Sequence, residues 1–358
     1  MLKPYLRKLA GGTDLTRREA AAAMDRIMDG AADDAQIAAF AMALHIKGET
    51  AAEIAGCALA LRRRCVAIRP PKPLASALLD TCGTGGDGLG TLNVSTLAAF
   101  IAAGAGQPVA KHGNRAVSSR CGSADLLEQL GIPVDLTPEE VAGCLKTTGL
   151  AFLFAPRFHP AMRHAAAARR SLGLRTIFNL LGPLCNPAGA PRQLVGVFPG
   201  GPLATLARVM ASLGTRRALL VHGTDGMDEL TVTGPSDVVE LRDGRIRSFR
   251  VTPEEAGLRR WKPAALAGGG PEENAGIALA VLGGGHGAAR DISLLNSGAA
   301  LMVGGRARTL AAGVKLAAAA VDSGSALRKL EEVRAWCQAR RGGAQGSMAV
   351  ARRGRQSK

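Results

Sequence analysis

Apolar residues in the first seventy positions recur at helical spacing. Ile37, Phe40, Ala41 and Leu44 fall on one face of a helix. Thr16-Arg17-Arg18-Glu19 and Thr50-Ala51-Ala52-Glu53 each set a threonine three positions before a glutamate. That is the reciprocal cap that opens a helix, worth on the order of 1 kcal/mol. Gly30 and Gly48 stand where helix-ending glycines belong. The run Arg69-Pro70-Pro71-Lys72-Pro73 then stops the pattern, because proline lacks the N–H that a helix interior needs. A hinge is expected there.

Beyond the break the rhythm changes. Short apolar runs at 77–82, 108–111, 150–155, 193–198 and 218–222 alternate with helical sequence, including helices beginning near Ser95 and Ala124. A third capping box, Thr137-Pro138-Glu139-Glu140, carries proline at the first helical position. Strands alternating with helices imply a mostly parallel sheet covered on both faces. Residues 238–251, turning at Asp243-Gly244, read as an edge hairpin, and the chain from Pro271 onward is largely helical. The expected fold is therefore α/β: a small N-terminal helical domain over 1–72, and a larger α/β domain over 73–338 with a mostly parallel central sheet. The Gly/Arg/Ser-rich tail, 339–358, is expected to lack order.

Length agrees with two domains, since 358 residues exceed the roughly 250–300 at which one core stops growing. With 47% hydrophobic and 21% charged residues, wholesale disorder is excluded. No apolar run approaches the ~20 residues of a membrane-spanning helix, and the N-terminus lacks a secretory apolar stretch. Cys57, Cys65, Cys82, Cys121, Cys144, Cys185 and Cys337 contain no C-x-x-C pair and fit thiols in a reducing compartment. A soluble, cytoplasmic protein without a membrane partner is expected. Net charge is +16, but Arg340, Arg341, Arg352, Arg353, Arg355 and Lys358 all lie in the tail. Aromatics are only 3%, so base-stacking platforms are scarce. An anionic small substrate accounts for the charge, and no nucleic-acid partner is expected.

The candidate chemistry sits in loops after strands. Gly83-Thr84-Gly85-Gly86-Asp87-Gly88 follows the first strand and leads to a helix. Its glycines let backbone N–H groups approach an anion, and the helix N-terminus adds positive potential. It is no Walker A loop, since no Gly-Lys-Ser/Thr follows, and Asp87 would repel a pyrophosphate in a dinucleotide site. An acid there suits a ribose hydroxyl or a metal-bound water. Asn93-Val94-Ser95-Thr96 opens the next helix, either as an ordinary cap or with its hydroxyls facing phosphate or metal. Lys111-His112-Gly113-Asn114-Arg115 ends the second strand, at the edge where open α/β sheets bind ligands. Ser118, Ser119, Gly122 and Ser123 follow in a second donor-rich loop. Two such loops suggest a ligand with two separate phosphate groups. Asp228-Glu229 is either a solvated turn or, if the loops converge, the carboxylate pair that holds Mg2+. His45, His164 and His286 show no partner pattern and read as structural, whereas His112 and His159 stay open as candidates.

These motifs carry a resemblance. Residues 84–96 (TGGDGLGTLNVST), 111–125 (KHGNRAVSSRCGSAD), 154–186 and 226–229 (GMDE) are similar to those of the anthranilate phosphoribosyltransferases, in order, from about 6 to 336. The resemblance implies transfer of a phosphoribosyl group from 5-phosphoribosyl 1-diphosphate to anthranilate, with release of pyrophosphate, in tryptophan biosynthesis. It implies Mg2+ as cofactor and a homodimer joined through the helical domain, to which a segment of about 159–182 returns. It assigns the diphosphate substrate to Gly83, Gly86, Asp87, Thr91, Asn93, Val94, Ser95, Thr96, Lys111, His112, Gly113, Asn114, Arg115, Ala116, Val117, Ser118, Ser119 and Ser123. Ser95, Asp228 and Glu229 take the metal positions. Asn114 and Arg169 take the anthranilate positions, with His112 and His159 lining the pocket, Gly182-Pro183 in its wall and Arg170 as the alternative to Arg169. Cys121 departs from the serine common before Gly122-Ser123. The rival readings are a pyrimidine nucleoside phosphorylase and a non-catalytic nucleic-acid-binding relative.

Overall fold

All three capping boxes close. Thr16, Thr50 and Thr137 each accept from the N–H of the glutamate three residues on, and each glutamate reaches back to the cap. In this computed structural model, which describes residues 2–116, 120–198 and 201–353 with side chains as far as Arg340, four helices open the chain. They are α1 (Lys3–Ala10), α2 (Arg17–Met28), α3 (Asp34–Lys47) and α4 (Ala51–Arg63). The proline run is crossed by no helix; a four-residue helix, Lys72–Ala75, begins within it.

Glu53 ties this bundle together from inside. It is fully buried, accepting from the Leu15 N–H at 2.9 Å, from the Thr50 N–H at 2.9 Å and from Lys47 Nζ at 3.0 Å. Removing the carboxylate leaves the buried Leu15 N–H and the Thr50 N–H without their partner and takes from Lys47 one of its two carboxylates, Asp14 remaining at 2.6 Å. Glu53→Ala is therefore expected to lower the free energy of unfolding by about 3 kcal/mol in a urea titration. A change under about 1 kcal/mol would show that the carboxylate bears no such weight.

The seven strands are β1 (Leu79–Gly83), β2 (Val109–Gly113), β3 (Leu150–Phe154), β4 (Arg192–Gly196), β5 (Arg217–Gly223), β6 (Ser236–Arg242) and β7 (Arg245–Val251). They lie in the order β3-β2-β1-β4-β5-β6-β7, the first five parallel and the last two an antiparallel hairpin. Strand ends fall a residue or two from the apolar runs, because the glycines that begin the functional loops (Gly83, Gly113, Gly196) still pair in the ladder. One core fills one face of the sheet with Leu97, Phe100, Ile101, Leu126, Leu295 and Leu301. The other core runs from α1–α4 (Leu15, Met24, Phe40, Ile54) through Leu181 to Val195, Leu220 and Leu241 on the opposite face. The helical bundle thus packs directly against the α/β layer.

The last helix is Ser325–Arg353. Alanine, arginine, glutamine and methionine are strong helix formers, and they outnumber the glycines there. No single helix among the described residues is long and apolar enough to cross a membrane.

Candidate active site

The strand order reverses beside β1: its first crossover leads to β2 on one side, and the chain later returns to β4 on the other. The crevice at the carboxyl ends of β1 and β4 is the place where such a sheet binds ligands. The glycine loop leaves β1 there. Asp228, beyond β5, reaches the same point, its Oδ2 accepting from the Gly85 N–H at 2.9 Å. Two glycines make this approach feasible: a Cβ on Gly83 would lie 2.9 Å from Asp228 Oδ2, and one on Gly196 would lie 1.6 Å from the Asp228 carbonyl oxygen.

Lys111, at the end of β2, turns its ammonium into the same region. It is buried, with Nζ donating to the Thr81 carbonyl at 2.5 Å and to Ser95 Oγ at 3.2 Å. Burial lowers its pKa, opposed chiefly by Asp80 and also by Glu229 and Asp228. Withdrawal from water and the facing Asp87 push Asp228 up to about 7. Burial and then Asp228 raise Glu229 well above the usual carboxylate range, against the pull of Lys111 and the Ser95 N–H. Three acids crowded beside one lysine form a set short of positive charge.

The second loop reaches the same edge. Asp125 Oδ2 accepts from the Ala116 and Gly122 N–H groups, both at 2.9 Å, and folds the segment back on itself. Ser123 Oγ donates to the Asn114 carbonyl, and Asn114 Oδ1 accepts from the Arg115 N–H. The Arg115 guanidinium is drawn onto Glu128 and Asp125, so its charge is already matched. Val117, Ser118 and Ser119 lie outside the described residues. Asn93 stands at the N-cap position, but its side chain makes no cap bond: its Nδ2 donates to the Cys121 carbonyl and its Oδ1 accepts from Asn274. Thr91 bridges to Ala267, and the Thr96 hydroxyl is buried without a partner.

His112 and His159 lie with ring centroids 5.1 Å apart, and His112 Nε2 and both ring nitrogens of His159 are buried without a hydrogen bond. Burial, then the neighbouring His159, lowers His112 to about 3, against the Gly182 backbone; burial lowers His159 to about 4, against the Cys185 backbone. The unfolded chain binds these protons near the ordinary value of 6.5, and the folded chain only below 4. Their contribution is therefore complete above pH 6.5 and is lost as pH falls towards 4. His159→Asn is expected to flatten the fall in unfolding free energy between pH 6.5 and 4, measured by urea titration. An unchanged slope would contradict the assignment.

Arg169 is half-buried while its neighbour Arg170 is exposed, which favours Arg169 as the ligand group. Its guanidinium lies 5.8 Å from the Phe178 ring centroid, has no carboxylate partner among the described residues, and is held below its ordinary pKa by burial. Phe178 and Gly182 are four apart on the Ile177–Leu184 helix and share a face, and the Gly182 backbone adjoins His112. A Cβ on Gly182 would meet open space.

Three participants escaped the sequence reading. Arg175 stacks 4.5 Å from the Phe198 ring centroid, and its Nε would lie 3.2 Å from a Cβ on Gly86, placing an unmatched charge over the glycine loop. Asp80, buried within β1, accepts from the His112 N–H at 3.0 Å and from Asn186 Nδ2 at 2.8 Å. Asn274 clamps Asn93 from the far side of the sheet sequence. An arginine next to a leucine in a loop, and a lone acid in an apolar strand, carry no local pattern.

Residues 3–65 match the glycosyl transferase family, helical bundle domain, and residues 75–327 the glycosyl transferase family, a/b domain. The anthranilate phosphoribosyltransferase of Moorella thermoacetica is 55% identical over 338 residues, covering 94% of this chain and 99% of that protein. The chain belongs to the anthranilate phosphoribosyltransferase family. That of Symbiobacterium thermophilum is 54% identical, over 93% of this chain and 97% of the relative. The Thermus thermophilus anthranilate phosphoribosyltransferase crystal structure superposes with a TM-score of 0.87 at 45% identity, covering 93% of this chain and 99% of that one. The Saccharomyces cerevisiae anthranilate phosphoribosyltransferase, solved in complex with PRPP and Mg, gives 0.86 at 29% identity over 94% and 98%.

Proposed function

We propose that the protein joins anthranilate to 5-phosphoribosyl 1-diphosphate, forming the bond from ribose C1 to the aromatic amine and breaking the bond from C1 to the diphosphate oxygen. The observation that carries this reading is Asp228 seated on the Gly85 N–H, which brings an acid pair to a backbone-lined anion loop at the switch point of the sheet. Asp228 and Glu229 with Ser95 offer hard oxygen donors in a cluster short of positive charge, and this fits Mg2+. No three His, Cys, Asp or Glu among the described residues are placed to ligate one ion together, so water and substrate oxygens would complete its shell. When bound, the ion neutralises charge on the departing diphosphate.

The protein groups do the rest. Backbone donors of 83–87 and the Lys111 ammonium face the charge that develops on the leaving group. Arg175 adds a second cation over the same loop. Arg169 offers two parallel N–H donors to the anthranilate carboxylate and so aligns the amine with C1. That amine is neutral at pH 7, so no strong base is needed, and its proton passes to the departing diphosphate or to solvent. His112 and His159, neutral throughout this range, wall the pocket without titrating. Closure of the helical part, 1–72 with 159–182, onto 73–338 about the proline run would exclude water. A homodimer joined through the helical domain and a cytoplasmic location complete the reading.

Loss of anthranilate fluorescence that requires both the diphosphate substrate and Mg2+ is the expected result. Phosphorolysis of thymidine or uridine, with no anthranilate consumed, would reverse the assignment.

A further inference from the structure

The opposite edge of the sheet carries arginines that form no ion pair among the described residues. Strand register sets Arg192 beside Arg217, Arg217 beside Arg242, and Arg242 beside Arg245, so four adjacent strands meet the edge in arginine. Strands lie about 4.8 Å apart, so the row spans about 14 Å. Arg306 and Arg308 follow the Ala288–Gly304 helix into the same region, and Arg216 precedes Arg217. None of these seven forms an ion pair among the described residues. The nearby acids do not balance them: Glu240 is held by Arg247 at 2.9 Å, and Asp243 stands on the exposed hairpin turn.

The charges are gathered and fixed. Arg192 donates to the Gly304 carbonyl and Arg306 to the Gly106 carbonyl, contacts that hold a guanidinium without matching its charge. A Cβ built on Gly305 would lie 3.5 Å from both Arg192 Nη1 and Arg217 Nη1, so two guanidiniums converge on one point. Burial, then Arg217, Arg216 and Arg306, lowers the pKa of Arg192 against the weaker pull of Asp243, as expected where like charges outnumber the acid. Beside them opens a recess of about 410 Å3, lined by Arg217, Arg242, Arg308, Glu240, Leu241 and Met302. Like charges held this close repel, and a bound anion would turn that cost into attraction. The recess contains no aromatic ring for a base to stack on, and its volume suits a compact ligand.

We propose that this edge is a second anion site, which takes a small polyphosphate. Phosphate chains fit because guanidinium forks bind their oxygens in pairs, and a row of forks matches a row of phosphates. It lies about 16 Å, one strand length, from the carboxyl-edge crevice, and it stands independently of the transfer reaction.

The test is calorimetric titration of the full-length protein with inorganic triphosphate in 0.15 M NaCl without Mg2+. It uses wild type, Arg217→Gln/Arg242→Gln, and the exposed control Arg18→Gln on the helix Arg17–Met28. The double variant should lose one binding event, or weaken it at least about tenfold, while the control and the anthranilate assay stay unchanged. Its ligand-free melting temperature should equal or exceed that of wild type, because repulsion is removed. A parallel titration with a nucleoside triphosphate separates the sources: the tighter ligand names whether bare polyphosphate or a phosphorylated metabolite is preferred. Identical titrations in wild type and variant would overturn the proposal. So would a lowered ligand-free melting temperature, which would make the arginines structural, or displacement of triphosphate by a short single-stranded oligonucleotide at equal phosphate concentration.

Discussion

Asp228→Asn combined with Glu229→Gln is expected to lower kcat by about 10²–10³-fold, and to raise the Mg2+ concentration needed for half-maximal rate. Burial and then Asp87 push Asp228 up, burial and then Asp228 push Glu229 up, and the Gly85 N–H on the first and Lys111 with the Ser95 N–H on the second oppose this only in part. Such an arrangement is costly to fold unless a cation joins it. Amides keep the shape and remove the charge that attracts the ion. The same change should leave the protein no less stable in the absence of metal, because repulsion is relieved. Measuring rate against Mg2+ concentration and metal-free melting temperature separates the two effects. An unchanged metal dependence would remove these acids from the site.

Arg169→Ala should raise KM for anthranilate by about 30-fold or more and leave KM for the diphosphate substrate within a few fold. The guanidinium is half-buried, lies against the Phe178 ring and has no carboxylate partner among the described residues, so it is already desolvated for an incoming anion. Arg169→Lys should recover only part of the loss, since an ammonium cannot present two parallel donors to a carboxylate. Arg170→Ala, on the exposed side, should change little. The reverse pattern, with the diphosphate KM affected and that of anthranilate spared, would show the assignment to be wrong.

Much of the architecture can be read from the chain because it depends on local signals. The capping boxes at Thr16, Thr50 and Thr137 need only residues three apart, and each forms. The alternation of apolar runs and helices yields the parallel sheet, and Asp243-Gly244 marks the hairpin turn. The glycine loop is visible for the same reason: its residues are contiguous. What it holds is less visible. Asp228 lies far along the chain and meets Gly85 only because β4 and β5 extend the sheet on the far side of β1. Arg175 and Asn274 act through contacts that no neighbouring residue announces. Arg115 gives no sequence sign of the pairing with Glu128 and Asp125 that the fold imposes on it. The row of edge arginines is the limiting case. Arg192, Arg217, Arg242 and Arg245 are scattered in sequence, and strand register alone makes them neighbours.

The two loops and the acid pair are expected to serve one bound molecule, and crystals grown with 5-phosphoribosyl 1-diphosphate and Mn2+, read by anomalous scattering, test this most directly. The predicted result is a manganese peak within coordination distance of Asp228 and Glu229, with the diphosphate against Gly83–Asp87 backbone and the ribose between that loop and Asn114. A peak elsewhere, or a sugar phosphate bound away from the carboxyl ends of β1 and β4, would contradict it.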